Sequence, residues 1–166
     1  MSAGTTYTTM QGPFGPIFLA RNAEGLVRIW FESTGKRYRP ASDWRSDAGP
    51  LRDATEQLSA YFKGELRVFD LPLAPEGTAF QKDVWRALID VPYGATTTYG
   101  EIAARVGRAN SARAVGAANG SNPLPIVVPC HRVIGSDGSL TGYGGGMKIK
   151  EALLRLERAP GFALTP

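Results

Sequence analysis

Residues 123–133 read PLPIVVPCHRV, and this stretch holds the only cysteine and the only histidine of the 166-residue chain, Cys130 and His131. The β-branched run at 126–128 is typical of a covered, pleated surface and predicts a short buried strand. A proline on each side limits the pairing of that strand, because proline has no backbone donor. The sequence therefore predicts a strand that ends at a thiol and an imidazole.

The composition excludes several classes of protein. With 43% hydrophobic residues the chain can bury a core, as one domain or as two small ones. No apolar run approaches the roughly 20 residues that span a bilayer, and the first residues lack the basic and apolar regions of a secretory signal. A single cysteine fits a reducing compartment, so we expect a cytoplasmic protein without a membrane partner. One cysteine and one histidine also exclude a Cys-rich or poly-His metal site, and we expect no metal or cofactor.

The charge is unevenly placed. Residues 1–78 contain nine basic and nine acidic residues, whereas residues 79–166 contain ten and six, so the net charge of +4 lies in the second half. This excess is too small to indicate a nucleic-acid partner by itself. It supports one only together with the other signals in the same half.

The first half begins with a pattern of strands. Residues 7–10, 15–21 and 26–32 alternate or run apolar, and glycine-rich turn signals separate them. This pattern predicts a three-stranded antiparallel meander.

A helix and a linker follow the meander. Apolar positions between Leu51 and Phe62 have helical spacing, and Gly64 is placed to end the helix. Residues 66–73 are a further candidate strand, and residues 71–77 are the best candidate linker. The chain then divides into domains at 1–77 and 78–166. No residue of the first domain suggests chemistry, so we interpret it as a scaffold.

The second half contains a helix-turn-helix pattern. Capping boxes at 78–81 and 98–101 each predict the start of a helix, and Gly107 is placed to end the second one. Ser111 can cap a third helix that runs to about Asn119, with Gly120 as its end. Two short helices joined by a few residues form a helix-turn-helix, whose second helix normally enters a DNA groove, although most helix pairs bind no DNA.

The third of these helices has an unusual surface of small residues, with Arg113 as its one long side chain. Gly116 lies inside it, where glycine costs up to about 1 kcal/mol relative to alanine. Two explanations stand equal on pattern alone. The glycine either allows close packing against another helix or provides a flat face that lies against a nucleic-acid backbone.

Cys130 also has two interpretations. A lone buried cysteine usually acts as a small hydrophobic residue. The adjacent His131, the charge of Arg132 and the glycine-rich loop at 142–146 favour a nucleophile instead, because a nearby histidine can supply thiolate. Neighbours along a strand point to opposite faces, so direct Cys–His contact requires an irregular backbone at Pro129 or a bridging water.

Glu157 is the third candidate for the same site. It lies on a predicted helix at 148–158, four residues after Leu153 and at the border of the inward face. Spacing alone favours an exposed charge, like the neighbouring i,i+4 pair of Glu151 and Arg155.

The signature Pro129-Cys130-His131-Arg132-Val133 resembles that of the O6-alkylguanine-DNA alkyltransferases, also called methylated-DNA–protein-cysteine methyltransferases. The likeness covers essentially all of residues 78–158. It includes Phe80-Gln81-x-x-Val84-Trp85, Tyr93-Gly94 with Tyr99, Ala112-Arg113-Ala114-Val115-Gly116, Asn122-Pro123, Tyr143-x-Gly145-Gly146 and Lys150-x-x-Leu153-Leu154. The first domain is similar in layout only. The resemblance implies an α/β (α+β) protein: an N-terminal three-stranded antiparallel sheet with a helix in an RNase H-like layout, then a mostly helical domain with the helix-turn-helix.

The resemblance also implies catalytic roles. Cys130 would accept the alkyl group in a single turnover, and His131, linked to it through water, would take the thiol proton. Glu157 would orient His131, and Asn122 would brace the active-site turn. Tyr99 would donate a hydrogen bond to guanine N3.

The implied partner is double-stranded DNA carrying O6-alkylguanine, with O4-alkylthymine as a second lesion, approached through the minor groove by a monomer. Arg113 would fill the gap left by the flipped nucleotide. The implied DNA-binding residues are Thr98, Ala112, Arg113, Gly116 and Asn119. The implied pocket residues are Tyr99, Pro125, Val133, Tyr143 and Gly144.

Two departures from the family pattern accompany the resemblance. Some relatives bind zinc in the first domain through Cys and His ligands that this chain lacks, and animal relatives have a serine where this chain has Gly144. Two alternatives stay open: a lesion-binding relative without transfer, against which Cys130 argues, and a cysteine hydrolase or redox thiol enzyme, which would not need the helix-turn-helix.

Overall fold

The structure, a computed structural model, describes residues 4–143 and 145–158. The chain forms two compact units, Met1–Glu76 and Gly77–Pro166. Across the described residues, every helix is too short or too polar to cross a bilayer.

The first unit is built on the expected meander. Strands β1 (Thr6–Gly12), β2 (Gly15–Arg21) and β3 (Leu26–Phe31) pair antiparallel in sequence order. The central strand β2 is covered on both faces, and Ile17 to Ala20 are all buried. A fourth strand that the sequence did not predict, β4 (Arg45–Ser46), pairs parallel with β1 at the sheet edge.

The predicted helix of this unit is confirmed as α1 (Arg52–Phe62). Its buried residues Ala54, Leu58 and Tyr61 have the expected helical spacing. Gly64 follows with a φ of 76°, in the left-handed region that glycine adopts at helix ends.

The candidate strand at 66–73 is wrong. In this segment only an isolated bridge from Leu73 to Leu26 forms, with Leu26 N donating to Pro72 O at 2.9 Å and Ala74 N donating to Leu26 O at 2.7 Å. Pro72 cannot donate to a ladder, so apolar alternation here does not lead to regular pairing.

The second unit opens with α2 (Ala79–Ile89). Its capping box is complete, with Thr78 Oγ1 accepting from Gln81 N and the Gln81 side chain accepting from Thr78 N. The inward face buries Val84, Trp85 and Leu88.

The helix-turn-helix is confirmed as α3 (Tyr99–Arg105) and α4 (Ala112–Gly120), and β5 (Thr97–Thr98) precedes it. Trp85 Nε1 joins α2 to α4 by donating to Ala118 O at 2.9 Å. Three capping details differ from expectation. Glu101 accepts from Thr97 Oγ1 rather than closing its capping box, Ser111 makes no side-chain cap, and Gly120 lies within the helix.

The predicted strand at 126–128 is also wrong, although its residues are buried as expected. Ile126 has a φ of 76°, so the chain turns where the apolar run suggested an extended path. After Pro129 the chain forms a 3₁₀ turn (Cys130–Arg132), then β6 (Val133–Ile134), which pairs parallel with β5. Helix α5 (Met147–Leu156) ends two residues earlier than predicted.

Gly25 allows the 72–74 segment to lie against β3. A Cβ at this position would lie 2.4 Å from Pro72 O, and the φ is +152°. We expect Gly25→Ala to lower the free energy of unfolding by about 2 kcal/mol or more, measured by chemical denaturation. Gly35→Ala is the control, because Gly35 also has a positive φ but nothing within 4 Å of its Cβ position. Equal losses for the two variants would contradict the steric explanation.

Candidate active site

The backbone at 129–132 brings Cys130 and His131 into one buried turn. Both residues lie in the 3₁₀ turn rather than on a strand, with 5% and 0% of their surface exposed. Side chains in such a turn are about 120° apart, since it has three residues per turn. The irregular backbone expected at Pro129 is therefore present, and the opposite-face geometry of a strand does not apply.

A buried carboxylate holds this turn to the end of α5. Glu157 caps α5 and is 3% exposed, so the interpretation of Glu157 as a surface charge is wrong. Its Oε2 lies 2.7 Å from His131 Nε2, while Arg132 donates from Nε to Oε1 at 2.8 Å and from Nη2 to Oε2 at 3.0 Å. Arg132 also donates to Val91 O at 2.7 Å. The expected Glu151–Arg155 pair forms on the surface at 2.8 Å.

These contacts determine the protonation of Glu157 and the tautomer of His131. Burial by itself would raise the pKa of Glu157, but the bonds from His131 and Arg132 outweigh it and hold that pKa well below its usual range. Since an ionised carboxylate only accepts, His131 Nε2 must carry the hydrogen. Burial lowers the pKa of His131, against the opposing effect of Glu157, so the ring is neutral at pH 7. Its Nδ1 then carries a lone pair, and this buried atom has no hydrogen-bond partner among the described residues.

The thiol is protonated at rest. Burial raises the pKa of Cys130 to about 11, although the amide of Asn122 and the charge of Lys150 act in the opposite direction. At neutral pH the sulfur therefore requires a base before it can act as a nucleophile. His131 is the neighbouring neutral imidazole with an available lone pair.

Asn122 braces the turn that leads to the thiol. Its side-chain Nδ2 donates to Val128 O at 2.8 Å, and its Oδ1 accepts from Leu124 N at 2.9 Å. Asn119 lies beside the same turn, 4% exposed, with Nδ2 3.5 Å from Cys130 O. The expected DNA contact of Asn119 does not fit this burial, because its side chain faces the interior and not the surface of α4.

Four of the expected pocket residues belong to the described part of this unit. Tyr99 begins α3 and is half-buried, and its hydroxyl hydrogen-bonds Thr141 Oγ1. Pro125 and Tyr143 are also half-buried, whereas Val133 is fully buried. Gly144 lies outside the described residues.

Lys150 lies in the site, although the sequence did not predict it as a site residue. It is 0% exposed, and its Nζ donates to Val133 O at 2.6 Å and Thr141 O at 3.0 Å. Burial lowers the pKa of Lys150 to about 8, opposed by Cys130. Lys150 lies three residues before Leu153 on α5, and this spacing indicates an inward position. The indication is easily missed, because lysine is rarely fully buried.

The exposed face of α4 has the small-residue character that the sequence indicated. Ala112, Arg113 and Ala114 are exposed, and Gly116 is half-buried beside Tyr99. A Cβ at Gly116 would lie 3.8 Å from the Tyr99 ring, an ordinary contact. Close helix packing therefore does not require glycine here, which favours the flat-face explanation. Thr98, the remaining residue of the expected DNA-binding set, is half-buried and caps α3 by accepting from Glu101 N.

Comparison with known proteins identifies the family. Residues 79–159 match the DNA binding domain of 6-O-methylguanine DNA methyltransferase, and residues 5–75 match its ribonuclease-like domain. A methylated-DNA–protein-cysteine methyltransferase of Methanosarcina barkeri is 54% identical over 91% of this chain and 96% of its own length. The chain belongs to the 6-O-methylguanine DNA methyltransferase family. A relative of the same name from Mycobacterium bovis is 50% identical over 92% of each chain.

Solved structures of this methyltransferase family agree with the fold. The O6-methylguanine methyltransferase of Mycobacterium tuberculosis matches with a TM-score of 0.85 at 49% identity, over 94% of this chain and 95% of that one. A structure of M. tuberculosis OGT in complex with DNA has the same TM-score at 48% identity, over 93% and 95%. The α/β class and the mostly helical second unit are thereby confirmed.

Because His131 is the only histidine, the pH dependence of stability tests its buried neutral state. An unfolded histidine binds a proton below about pH 6.5, while the folded ring has a lowered pKa and stays neutral. The unfolded state then binds more protons, so we expect the free energy of unfolding to fall from pH 7.0 to 5.5, by at most about 1.4 kcal/mol per pH unit. Denaturant titrations at each pH measure this slope, and His131→Gln should remove it. A wild-type stability that is flat over this range would contradict the assignment.

Proposed function

We propose that this protein repairs DNA by transferring the alkyl group of O6-alkylguanine to its own Cys130. The observation that carries the proposal is the buried thiol beside a neutral His131 whose Nε2 is bound by ionised Glu157. Membership of the methyltransferase family and the helix-turn-helix in the same unit support it.

In this mechanism His131 is the base. Its Nδ1 takes the Cys130 proton, through a water as in the family, and Glu157 stabilises the imidazolium that results. The sulfur then attacks the alkyl carbon, so a C–S bond forms as the C–O6 bond breaks and its electron pair stays on the guanine. Tyr99 donates a hydrogen bond to N3 and assists departure of the base. Arg132 binds the second oxygen of Glu157, which keeps that carboxylate in place.

The product explains why each molecule acts once. Attack on an alkyl carbon leaves a thioether on Cys130, and water does not readily cleave a thioether. A cysteine hydrolase instead forms a thioester that water removes. We therefore expect the protein to gain mass in proportion to the number of lesions repaired.

For DNA recognition we assign the exposed face of α4. Its small residues, Ala112, Ala114 and Gly116, let backbone approach a minor groove, and Arg113 occupies the stack after the nucleotide is extruded. Minor-groove binding is mostly independent of sequence, as a repair protein requires. Asn119 is left out of this surface because it is buried.

The pocket proposed for the flipped base is formed by Tyr99, Pro125, Tyr143 and backbone near Val133, and Gly144 stays a sequence-based expectation. We extend the substrate class to O4-alkylthymine and propose that the protein acts as a monomer in the cytoplasm. A reduced Cys130 is necessary for transfer, which supports the reducing compartment.

Mass spectrometry of the intact protein after mixing with a duplex containing O6-methylguanine tests the transfer. We expect one methyl mass per molecule, mapped to Cys130, and Cys130→Ser should bind the lesion without gaining mass. Lesion binding by the wild type without mass gain would indicate the non-transferring alternative. Repeated turnover of a small ester would indicate a hydrolase.

Arg113→Ala should slow transfer from duplex DNA by about tenfold or more, because the extruded nucleotide loses the side chain that replaces it. Transfer from free O6-benzylguanine should change little, since it needs no extrusion. Arg105→Ala is the matched control, an exposed arginine on α3. Equal slowing of both substrates would place Arg113 in the pocket or the fold instead.

A further inference from the structure

The hydroxyl of Tyr99 already has a partner in the protein. It hydrogen-bonds Thr141 Oγ1, from the segment between β6 and α5. Both side chains are half-buried, at the edge of the proposed pocket. The proposed function uses Tyr99 as a donor and gives no part to Thr141.

Thr141 belongs to a closed ring of contacts around Tyr99. Strand β5 runs directly into Tyr99, and its residues Thr97 and Thr98 pair with Val133 and Ile134 of β6. The fully buried Lys150 donates to Val133 O at 2.6 Å and to Thr141 O at 3.0 Å. The β5–β6 pairing therefore positions the backbone that leads into Tyr99, and Thr141 positions the Tyr99 hydroxyl. Lys150 connects β6 to Thr141.

The number of hydroxyl protons determines the direction of the Thr141–Tyr99 hydrogen bond in the reactive state. A tyrosine hydroxyl has one proton to donate, and a threonine hydroxyl also has one. When Tyr99 gives its proton to a bond with the guanine, its oxygen can only accept from Thr141. Thr141 then donates to an oxygen that gains negative character as the base departs, and a donor at that position stabilises such charge.

We propose that Thr141 is a positioning residue for the transfer reaction: its hydroxyl aims the Tyr99 proton at the base and stabilises the phenol oxygen while the base leaves. This inference rests on the proposed function. Thr141 keeps its own proton throughout and forms no covalent bond.

The experiment compares four variants with free O6-benzylguanine as the probe, which separates the pocket from DNA binding. Thr141→Val keeps the shape and removes the hydroxyl, whereas Thr141→Ser keeps the hydroxyl. The third variant combines Thr141→Val with Tyr99→Phe and is compared with Tyr99→Phe alone. Rates of benzyl gain are measured by intact mass over a range of probe concentrations, and thermal melting checks that each variant is folded.

We expect Thr141→Val to lower the limiting rate by about three- to tenfold, the range of one net hydrogen bond, with the half-saturating concentration nearly unchanged. Thr141→Ser should restore most of the rate. In the Tyr99→Phe background, Thr141→Val should have no further effect, because the hydroxyl on which it acts is gone.

Three results would overturn the inference. These are an unchanged rate in Thr141→Val, an equal loss in Thr141→Ser, or a full additional loss in the Tyr99→Phe background. If Thr141→Val is unfolded, Thr141→Ala, which also removes the hydroxyl, replaces it both alone and in the Tyr99→Phe background. Failure of the wild type to gain methyl mass from the O6-methylguanine duplex would instead remove the proposed function, so the two failures are distinguishable.

Discussion

The ion pair network at Glu157 is the interaction on which the second unit depends. A carboxylate that is 3% exposed stays ionised only because His131 and Arg132 satisfy both of its oxygens. Removing one partner of such a buried pair typically costs about 3–5 kcal/mol, since the other charge is left uncompensated. The network also joins the end of α5 to the 3₁₀ turn, which places the thiol at a defined position.

The chemistry of the site follows from that one carboxylate. Because Glu157 accepts from Nε2, the lone pair of His131 is at Nδ1, and because the ring is buried it is neutral and able to take a proton. Cys130, with its pKa raised to about 11, is unreactive by itself. A protonated, buried thiol resists oxidation, which suits a residue that is used once and cannot be regenerated.

The proposed pocket and the proposed DNA surface share their boundary. Tyr99 is the first residue of α3, and Gly116 of α4 lies against its ring. Strand β5 leads directly into Tyr99 and pairs with β6, and the buried Lys150 binds Val133 O of β6. A nucleotide extruded at Arg113 would therefore enter the proposed pocket beside Tyr99.

Local sequence signals determined most of the secondary structure. Helical spacing, the Thr78 capping box and the glycines at 64 and 107 placed α1, α2 and α3, because these signals act within a few residues. Alternation and turn residues placed the meander for the same reason. The resemblance carried by residues 129–133 supplied the family and the candidate site residues.

Tertiary structure decided what depends on distant partners. A buried β-branched run looks the same in a strand and in a turn, and only the backbone path, with Ile126 at a φ of 76°, distinguishes them. Spacing placed Glu157 on the border of a helix, but its burial requires His131 and Arg132, 26 and 25 residues away. The buried charge of Lys150 is compensated by backbone carbonyls of other segments, and the buried Asn119 lies beside Cys130 O. Periodicity within one helix cannot reveal such partners, because they come from parts of the chain that meet only in the fold.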